Sequence, residues 1–516
     1  MEKTFCIAGP IQPENHYSVP FRMNETLLMQ LIDQQKYFIV HAPRPSGKTT
    51  AMLELVNKLN ATGKYEALYV NVEAAQADRQ NYVRGITTVL MRLKEEISNA
   101  WGADHCSLSF FSDDNWRLSP ATTLVSFLNN WSKNSTKPIV LFIDEIDALI
   151  GDTLISVLRQ LRTGYTNRPK HFPQSLCLIG VRDVRDYMIY SKQENNMILG
   201  GSAFNIKAES LTIESFTLAE VKALYLQHTA ATGQLFTDEA IDYAFDQTQG
   251  QPWLVNALAY QACFRAVQDR SQPITLEAME AAREALILRR DTHIDQLVHK
   301  LQEPRVRAIV DALIAGSTPP DNLPMDDLQY ARDLGIVTQK DLAIANPIYK
   351  EVFPRALTYV KQQTMTQRPL DYLHPDGSFN MNKMMNDWVT FYRENSGMWA
   401  EQFQYKESGP HLLMFAYLQR IINGGGTLQR EYALGRGRVD LTLVFGKKRI
   451  LIELKIHRGT KTLPEGLVQT AEYMDVMNAT EAHLVIFDQS DKKTWEEKIA
   501  QFDELVGAKT IHVWTM

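Results

Sequence analysis

The chain has 516 residues, of which 45% are hydrophobic and 22% charged, and its formal net charge at pH 7 is −6. This length predicts several domains rather than one, and this composition excludes a disordered or fibrous chain. The overall acidity argues against a chain that is basic throughout, but it is compatible with one local nucleic-acid surface.

The cysteines and the apolar runs bear on the compartment of the protein. The four cysteines lie more than 70 residues apart, so no pair has the short spacing of a zinc knuckle or a CxxC redox site. The N-terminal segment lacks a basic start followed by an apolar run, and no stretch approaches about 18 uninterrupted apolar residues. We therefore predict reduced thiols, a cytoplasmic location and no membrane partner.

Residues 1–212 alternate between strand-like and helical patterns. The apolar runs YFIV, ALYVNV, PIVLFID and SLCLIGV are separated by the helical segments AMLELVNKL, a long helix to about Asn99, and TLISVLRQLRTGY. Such alternation is typical of a mostly parallel sheet covered by helices on both faces. We predict a three-layer α/β core preceded by an N-terminal lead.

The pattern changes after residue 212. Amphipathic helices predict a helical lid over residues 213–300, opened by a capping pattern at Thr217 and Glu220. Residues 301–357 have a winged-helix-like order of helices followed by the runs IVTQ and LAIANP. The second of these helices carries few basic residues, which favours a spacer or a protein contact over DNA recognition. Residues 358–400 are predicted to be a helical linker whose methionine and tryptophan side chains pack between domains.

One loop in the α/β core has the pattern of a phosphate-binding loop. The sequence APRPSGKT fits GxxxxGK[ST] except that Ala42 replaces the first glycine. A nucleoside triphosphate needs inward-pointing backbone N–H groups, a cation on its β and γ oxygens, and a hydroxyl on Mg²⁺. The strand YFIV enters the loop and a helix leaves it, as the motif requires. We therefore predict a nucleotide site formed by Ser46, Gly47, Lys48, Thr49 and Thr50.

An acidic pair follows the apolar run PIVLF. We expect Asp144 to hold Mg²⁺ through water and Glu145 to act as the base for the attacking water. The alternative is that this pair only caps a helix, as Asp147 could. The phosphate loop upstream favours the metal and base roles.

Several motifs together carry a resemblance to a known class. HAPRPSGKTT, FIDEID, IGVRD and GQPWLVNAL, which lie within about residues 10–355, resemble the AAA+/STAND class of P-loop ATPases. The resemblance implies ATP as the nucleotide, and the chain contains no guanine-specifying NKxD stretch. It also implies a homo-oligomer as a possible assembly, with an arginine finger drawn from Arg159, Arg162 or Arg182.

The same resemblance implies further nucleotide contacts. Arg182 and Asp183 take the place of the sensor residue, where the class usually has Asn or Thr. Pro252 in the segment GQPW matches the lid proline that touches the nucleotide, although a simple turn before a helix is the alternative. Tyr17 and Arg22 in the N-terminal lead are expected to face the nucleotide base.

A second set of chemically active residues lies near the C-terminus. Residues 427–461 alternate enough to predict two strands joined at Gly446 and the basic turn that follows. Asp440 lies on the first strand, while Glu453 and Lys455 share one face of the second. Two carboxylates beside an ammonium group can bind Mg²⁺ and activate water against a phosphodiester. A structural ion pair is the alternative, because such groups in an apolar strand need partners.

These residues also resemble a nuclease family. The D…ExK pattern over residues 401–516 resembles the PD-(D/E)XK nucleases, and the resemblance implies the α/β fold of restriction endonucleases. Val439 replaces the usual proline before the aspartate. The resemblance implies Mg²⁺, or Mn²⁺ in its place, as the metal at Asp440 and Glu453. It further implies a first-helix acid and a Gln–Tyr pair, which we assign to Glu407, Gln469 and Tyr473.

Local charge supports a polyanionic partner. Residues 427–461 hold nine Lys or Arg residues against three acidic residues, although the chain as a whole is acidic. Such a basic segment around a metal site is suited to a phosphate backbone. We therefore predict nucleic acid as the partner; DNA is favoured over RNA, but the sequence leaves both open.

Taken together, the motifs predict an ATP-binding and hydrolysing switch that controls a metal-dependent nuclease. Fusions of a STAND-like ATPase with a PD-(D/E)XK domain, which the chain resembles, imply a role in bacterial defence. The alternative is a nucleotide-driven assembly or nucleic-acid-binding switch whose C-terminal domain, residues 401–516, grips nucleic acid without cutting it. A third possibility is a DNA-translocating motor with an accessory nuclease, but no helicase motifs accompany the two nucleotide motifs.

Overall fold

The computed structural model describes most of the chain, namely residues 2–112, 115–191, 196–289, 292–314, 323–364, 372–402, 408–422, 426–434, 437–446, 448–490 and 493–516. These residues form two compact units. The first comprises Met1–His293 and Gln329–Val337, and the second comprises Ile294–Leu328 and Thr338–Met516.

The first unit begins with an α/β core. Its elements in chain order are α1 (Glu25–Asp33), β1 (Tyr37–His41), α2 (Lys48–Ala61), β2 (Glu66–Asn71), α3 (Tyr82–Trp101), α4 (Pro120–Asn134), β3 (Ile139–Asp144), α5 (Asp152–Gly164), β4 (Ser175–Gly180), β5 (Met188–Ser191), β6 (Asn196–Leu199), α6 (Gly200–Ala203) and β7 (Lys207–Thr212).

Five of these strands form one sheet in the order β2-β3-β4-β1-β7, and every neighbouring pair is parallel. The predicted parallel sheet is thus confirmed. The edge strand β7 was not predicted, because its sequence KAESLT is polar and half-exposed rather than apolar. The register pairs Asn71 with Asp144, which brings the ends of β2 and β3 together beside the loop after β1.

Helices cover both faces of this sheet. On one face, Leu90 of α3, Phe127 of α4 and Leu158 of α5 are buried in a single apolar cluster. On the other face, Leu28 of α1 and Met52 of α2 are buried with alternate side chains of the strands. Burial of both faces explains why the central strands are continuous apolar runs.

Four helices follow the core: α7 (Leu218–Thr232), α8 (Asp238–Thr248), α9 (Pro252–Gln261) and α10 (Leu276–Arg289). The capping box predicted for the first of them is present, since Thr217 and Glu220 bond reciprocally to each other's backbone N–H. The helices enclose an apolar cluster of their own, which also contains Phe5 and Tyr17 from the N-terminal lead.

The second unit begins with the helices α11 (Thr292–Lys300), α12 (Pro304–Ile314), α14 (Pro347–Thr364), α15 (Met381–Gln402) and α16 (Ser408–Ile422), while α13 (Met325–Asp333) runs from the second unit into the segment Gln329–Val337 of the first. The predicted boundaries at residues 357 and 400 fall inside α14 and α15. Between α13 and α14 the described residues contain no strand, and Thr338 N in the run IVTQ donates to the carbonyl of Ala343 in the run LAIANP (2.9 Å). The winged-helix-like module stays a prediction.

A six-stranded mixed sheet completes this unit. Its elements are β8 (Gly426–Leu434), β9 (Gly437–Phe445), β10 (Lys448–Ile456), α17 (Thr462–Met477), β11 (Glu481–Phe487), α18 (Trp495–Lys498), β12 (Ala500–Val506) and β13 (Lys509–Thr515). The sheet order is β12-β13-β11-β10-β9-β8. Strand β9 is antiparallel to both β8 and β10, and β11 lies parallel to both β10 and β13.

The prediction of two strands over residues 427–461 was wrong, because three strands are present. Two separate strands, Gly426–Leu434 and Gly437–Phe445, lie where the alternating pattern predicts one. The turn at Gly446, where φ is 59°, is also tighter than predicted, and Lys448 and Arg449 belong to β10.

Candidate functional site

The loop between β1 and α2 has the geometry of a phosphate-binding loop. Gly47 caps α2 with φ of 90°, a left-handed conformation that favours glycine. The backbone N–H groups at the start of α2 therefore point towards the loop. The positive end of the helix dipole lies there and favours the binding of an anion.

The side chain of Lys48 folds back along this loop. It is only 7% exposed, and its Nζ donates to the carbonyls of Ala42 (2.7 Å) and Pro43 (3.3 Å). Burial lowers the pKa of Lys48 to about 8, against the opposing charges of Asp144 and Asp147. A cation that is buried among carbonyl groups and carboxylates is suited to the oxygens of a phosphate.

Asp144 is buried at the end of β3 and is held by three donors. Its Oδ2 accepts from Thr49 Oγ1 (2.9 Å) and from Tyr69 OH (2.5 Å), while its Oδ1 accepts from the Glu145 N–H (2.7 Å). A hydroxyl and a carboxylate side by side are the oxygen donors that Mg²⁺ prefers, so Thr49 and Asp144 fit this ion. Sequence reasoning missed Tyr69, because β2 carries no recognisable motif.

Glu145 follows with a left-handed backbone, φ 58° and ψ 40°, and makes no side-chain capping bond. Its carboxylate contacts the guanidinium of Arg44 in the phosphate loop. Arg44 also lies 3.8 Å from Asp147, whose Oδ1 accepts from the Val181 N–H (3.2 Å). The candidate base is thus paired with a cation of the phosphate loop, and no motif predicts this pairing.

The predicted residues around the loop make backbone contacts. Arg22 donates to the Ser46 carbonyl (2.9 Å), and its guanidinium lies 4.5 Å from the centre of the Phe216 ring. Burial lowers the pKa of Arg22. Thr50 Oγ1 accepts from the Ile11 N–H (3.1 Å), which ties the N-terminal lead to α2.

The lid reaches the loop through Gln251, whose Nε2 donates to the Pro45 carbonyl (3.2 Å). Pro252, predicted to touch the nucleotide, is buried at the start of α9. Tyr17, which we expected to face the nucleotide base, is 1% exposed in the apolar cluster of the lid, and its hydroxyl lies 3.2 Å from His228 Nδ1. The expectation for Tyr17 was therefore wrong, because its aromatic ring completes that cluster.

The residues at the sensor position have protein partners. Arg182 Nε donates to Asp333 Oδ2 (2.9 Å), and both side chains are buried in the first unit. Asp183 accepts from Ser210 Oγ (2.6 Å) and pairs with Lys207. Burial opposes the charge of Asp183, but these partners hold its pKa well below the usual range. Arg162, a candidate arginine finger, donates to the Ser202 carbonyl (2.9 Å).

The second unit brings the predicted carboxylates together. The register pairs Leu441 with Ile452, so Asp440 on β9 lies across from Glu453 on β10. Asp440 Oδ2 accepts from the Leu454 N–H (2.8 Å), and Lys455 Nζ donates to Glu453 Oε1 (2.7 Å). The side chains of Asp440, Glu453 and Lys455 therefore lie together on one face of the β9–β10 pair.

Glu453 is the most constrained member of this group. It is 1% exposed, and its Oε2 has no hydrogen-bond partner among the described residues. Burial, together with the charge of Asp440, raises the pKa of Glu453 to about 8, against the opposing effect of Lys455. A buried carboxylate oxygen without a donor, next to a second carboxylate, fits a divalent cation.

Gln469, Tyr473 and Glu407 are the other residues predicted for this site. Gln469 Nε2 donates to Tyr473 OH (2.5 Å) one turn later on α17. Burial opposes the charge of Lys455, but Glu453 foremost, with Asp440 and Tyr473, raises its pKa. Glu407 lies outside the described residues. Within the described residues, no group of three or more His, Cys, Asp or Glu side chains is placed to hold a metal.

Comparison with family models identifies the larger part of the chain. Residues 6–354 match the model of the AAA-like domain, which is more than half of the chain, so the protein belongs to the AAA-like domain family. Residues 379–491 match the model of a domain of unknown function, DUF8371. A search of curated proteins found no match.

Three solved structures are similar to this chain. The Walker-type ATPase PABY2304 of Pyrococcus abyssi is 12% identical, with a TM-score of 0.47 over 68% of this chain and 99% of that one. The ORC2 protein of Aeropyrum pernix is 13% identical, with a TM-score of 0.39 over 65% and 92%. Cdc6p of Pyrobaculum aerophilum is 14% identical, with a TM-score of 0.36 over 68% and 97%.

The helices were also compared with the dimensions of a bilayer. In the part of the chain that the structure describes, no helix is both long enough and apolar enough to span a membrane.

Proposed function

We propose that the first unit binds ATP together with Mg²⁺ and hydrolyses it, as a switch. The observation that carries this proposal is the hydrogen bond from Thr49 to Asp144, which joins the phosphate loop to the acidic end of β3. With the buried Lys48, these two residues supply the cation, hydroxyl and carboxylate that a magnesium–triphosphate complex requires.

Each residue has a role in this reaction. The N–H groups at the start of α2 and the ammonium of Lys48 bind the β and γ oxygens. Mg²⁺, when bound, neutralises charge that builds on those oxygens. Glu145 takes the proton of the attacking water, which requires its carboxylate to leave Arg44. Arg44 is then free to bind phosphate oxygen, so the pairing of Arg44 with Glu145 keeps the base away from water until ATP arrives.

Replacement of Glu145 tests this assignment. Glu145→Gln should retain ATP binding and slow hydrolysis by about 10² to 10⁴. The matched control is Glu54→Gln, which alters a carboxylate on α2 whose side chain is 42% exposed. Turnover that is equal in the two variants would remove Glu145 as the base.

We further propose that the second unit hydrolyses phosphodiester bonds in nucleic acid under the control of the first. The orphaned Oε2 of Glu453 beside Asp440 and Lys455 supports this proposal. The topology is also compatible with the nuclease resemblance, since helix α16 is followed by an antiparallel β8–β9–β10 meander, α17 and the parallel strand β11. Asp440 and Glu453 would hold Mg²⁺ or Mn²⁺, and Lys455 would orient the attacking water.

A cleavage assay tests the second proposal. Protein is incubated with Mg²⁺ or Mn²⁺ and labelled double-stranded DNA, single-stranded DNA or RNA, with and without ATP. We expect cleavage of DNA that is lost in Glu453→Ala and kept in Glu481→Ala, a carboxylate on the neighbouring strand β11. Metal-independent binding without cleavage would instead favour the alternative, a switch that grips nucleic acid without cutting it.

A further inference from the structure

Tyr69 belongs to neither nucleotide motif, yet its hydroxyl reaches the candidate metal ligand. It lies on β2, where the register pairs it with Phe142 of β3. Its OH donates to Asp144 Oδ2 at 2.5 Å, the same oxygen that accepts from Thr49. Two hydroxyls from different elements thus converge on one carboxylate oxygen.

The convergence restricts how Asp144 can rotate. The carboxylate is 1% exposed, and its other oxygen accepts from the Glu145 N–H. Of the three donors, Thr49 belongs to the phosphate loop and Glu145 is the next residue along the chain. Tyr69 is therefore the donor that ties the orientation of Asp144 to the edge strand β2.

We propose that Tyr69 is a positioning residue that holds the Asp144 carboxylate in the orientation needed for the magnesium–nucleotide complex. This inference rests on the proposed ATP binding by the first unit. Partners that orient a metal ligand have effects on metal affinity of about 10- to 100-fold when they are removed. The inference applies to metal-dependent affinity and leaves the contacts of Lys48 with phosphate unchanged.

The experiment measures how nucleotide affinity depends on Mg²⁺. A fluorescent ATP analogue is titrated with wild type and Tyr69→Phe, first in EDTA and then over a series of Mg²⁺ concentrations. We expect equal affinities in EDTA, and about tenfold more Mg²⁺ for half-maximal enhancement in Tyr69→Phe. The matched control is Tyr65→Phe, whose hydroxyl contacts Asp33 and should leave the Mg²⁺ dependence at the wild-type value.

A double variant separates positioning from a general loss of structure. If Tyr69 acts through Asp144, the Mg²⁺ dependence of Asp144→Asn should not change further when Tyr69→Phe is added. Additive effects, or equal Mg²⁺ dependence in wild type and Tyr69→Phe, would overturn the inference while the proposed ATP site stands. Failure of the wild type to bind the analogue at any Mg²⁺ concentration would overturn both.

Discussion

Arg182 and Asp333 form a buried ion pair in the first unit, with Nε and Oδ2 separated by 2.9 Å. Asp333 comes from the segment Gln329–Val337, which lies far along the chain from the α/β core but belongs to its unit. In the same segment, a Cβ atom at Gly335 would lie 2.8 Å from Pro43 of the phosphate loop. The segment Gln329–Val337 therefore packs against the candidate nucleotide site, and Arg182 is bound to this segment through its ion pair with Asp333.

Breaking this pair should destabilise the first unit. Asp333→Ala leaves the Arg182 guanidinium buried without its carboxylate, which we expect to cost about 3–5 kcal/mol in the free energy of unfolding. Lys222→Ala, which breaks an exposed pair with Asp238, should cost much less, because water screens the two charges. Urea unfolding of both variants measures these losses. Similar losses of unfolding free energy would show that the buried pair contributes no more to stability than the exposed pair.

The lowered pKa of Lys48 predicts a pH dependence of nucleotide binding. Its pKa of about 8 lies below the usual lysine value of 10.5, so the amine loses its charge as pH rises through about 8. Phosphate binding needs the charged form, and the affinity for ATP should therefore fall above that pH. Equilibrium titrations from pH 7 to pH 9.5 measure this fall. Lys48→Arg keeps its charge throughout, so a parallel fall in that variant would assign the effect to another group.

The raised pKa of Glu453 predicts that, without metal, the stability of the second unit falls as pH rises. Its folded pKa of about 8 lies above the usual glutamate value of 4.5, so the stability that protonation contributes is complete below about pH 4.5 and is lost as pH rises through 8. At pH 8 without metal, the free energy of unfolding of Glu453→Gln should exceed that of wild type by about 1–3 kcal/mol, because position 453 no longer carries a buried charge.

Thermal unfolding at pH 8 tests this prediction. Added Mg²⁺ or Mn²⁺ should stabilise the wild-type second unit and leave Glu453→Gln unchanged, because only a carboxylate binds the ion well. Equal stabilisation of the two proteins would place the metal elsewhere and favour a structural ion pair between Glu453 and Lys455.

Much of the fold of the first unit could be predicted from its sequence. Central strands such as PIVLFID are buried on both faces, so their apolar runs predict a parallel sheet, whereas the polar edge strand β7 gives no such signal. Tyr17 and Tyr69 show why the residues of the site could be predicted only in part. An aromatic residue near a motif can complete a core or donate to a ligand, and only the tertiary contacts distinguish these roles.

Gly250 provides a test of close packing within the lid. It has φ of 70°, and a Cβ atom there would lie 1.9 Å from the Phe216 carbonyl oxygen. Gly233 has a similar φ of 80° with no atom within 4 Å of such a Cβ. Gly233→Ala should therefore cost only the conformational penalty of about 1–2 kcal/mol, while Gly250→Ala should cost clearly more. Equal unfolding free energies for the two variants would mean that the Gly250–Phe216 contact is not close.

The central claim, that the first unit is an ATP site built on Lys48, is tested most directly by equilibrium binding of ATP in Mg²⁺. Lys48→Ala should abolish binding, because it removes the buried cation at the phosphate loop. Lys58→Ala removes a lysine from the same helix whose ammonium pairs with Glu25 and Glu54, and it should bind ATP as the wild type does. Normal ATP affinity in Lys48→Ala would contradict the account.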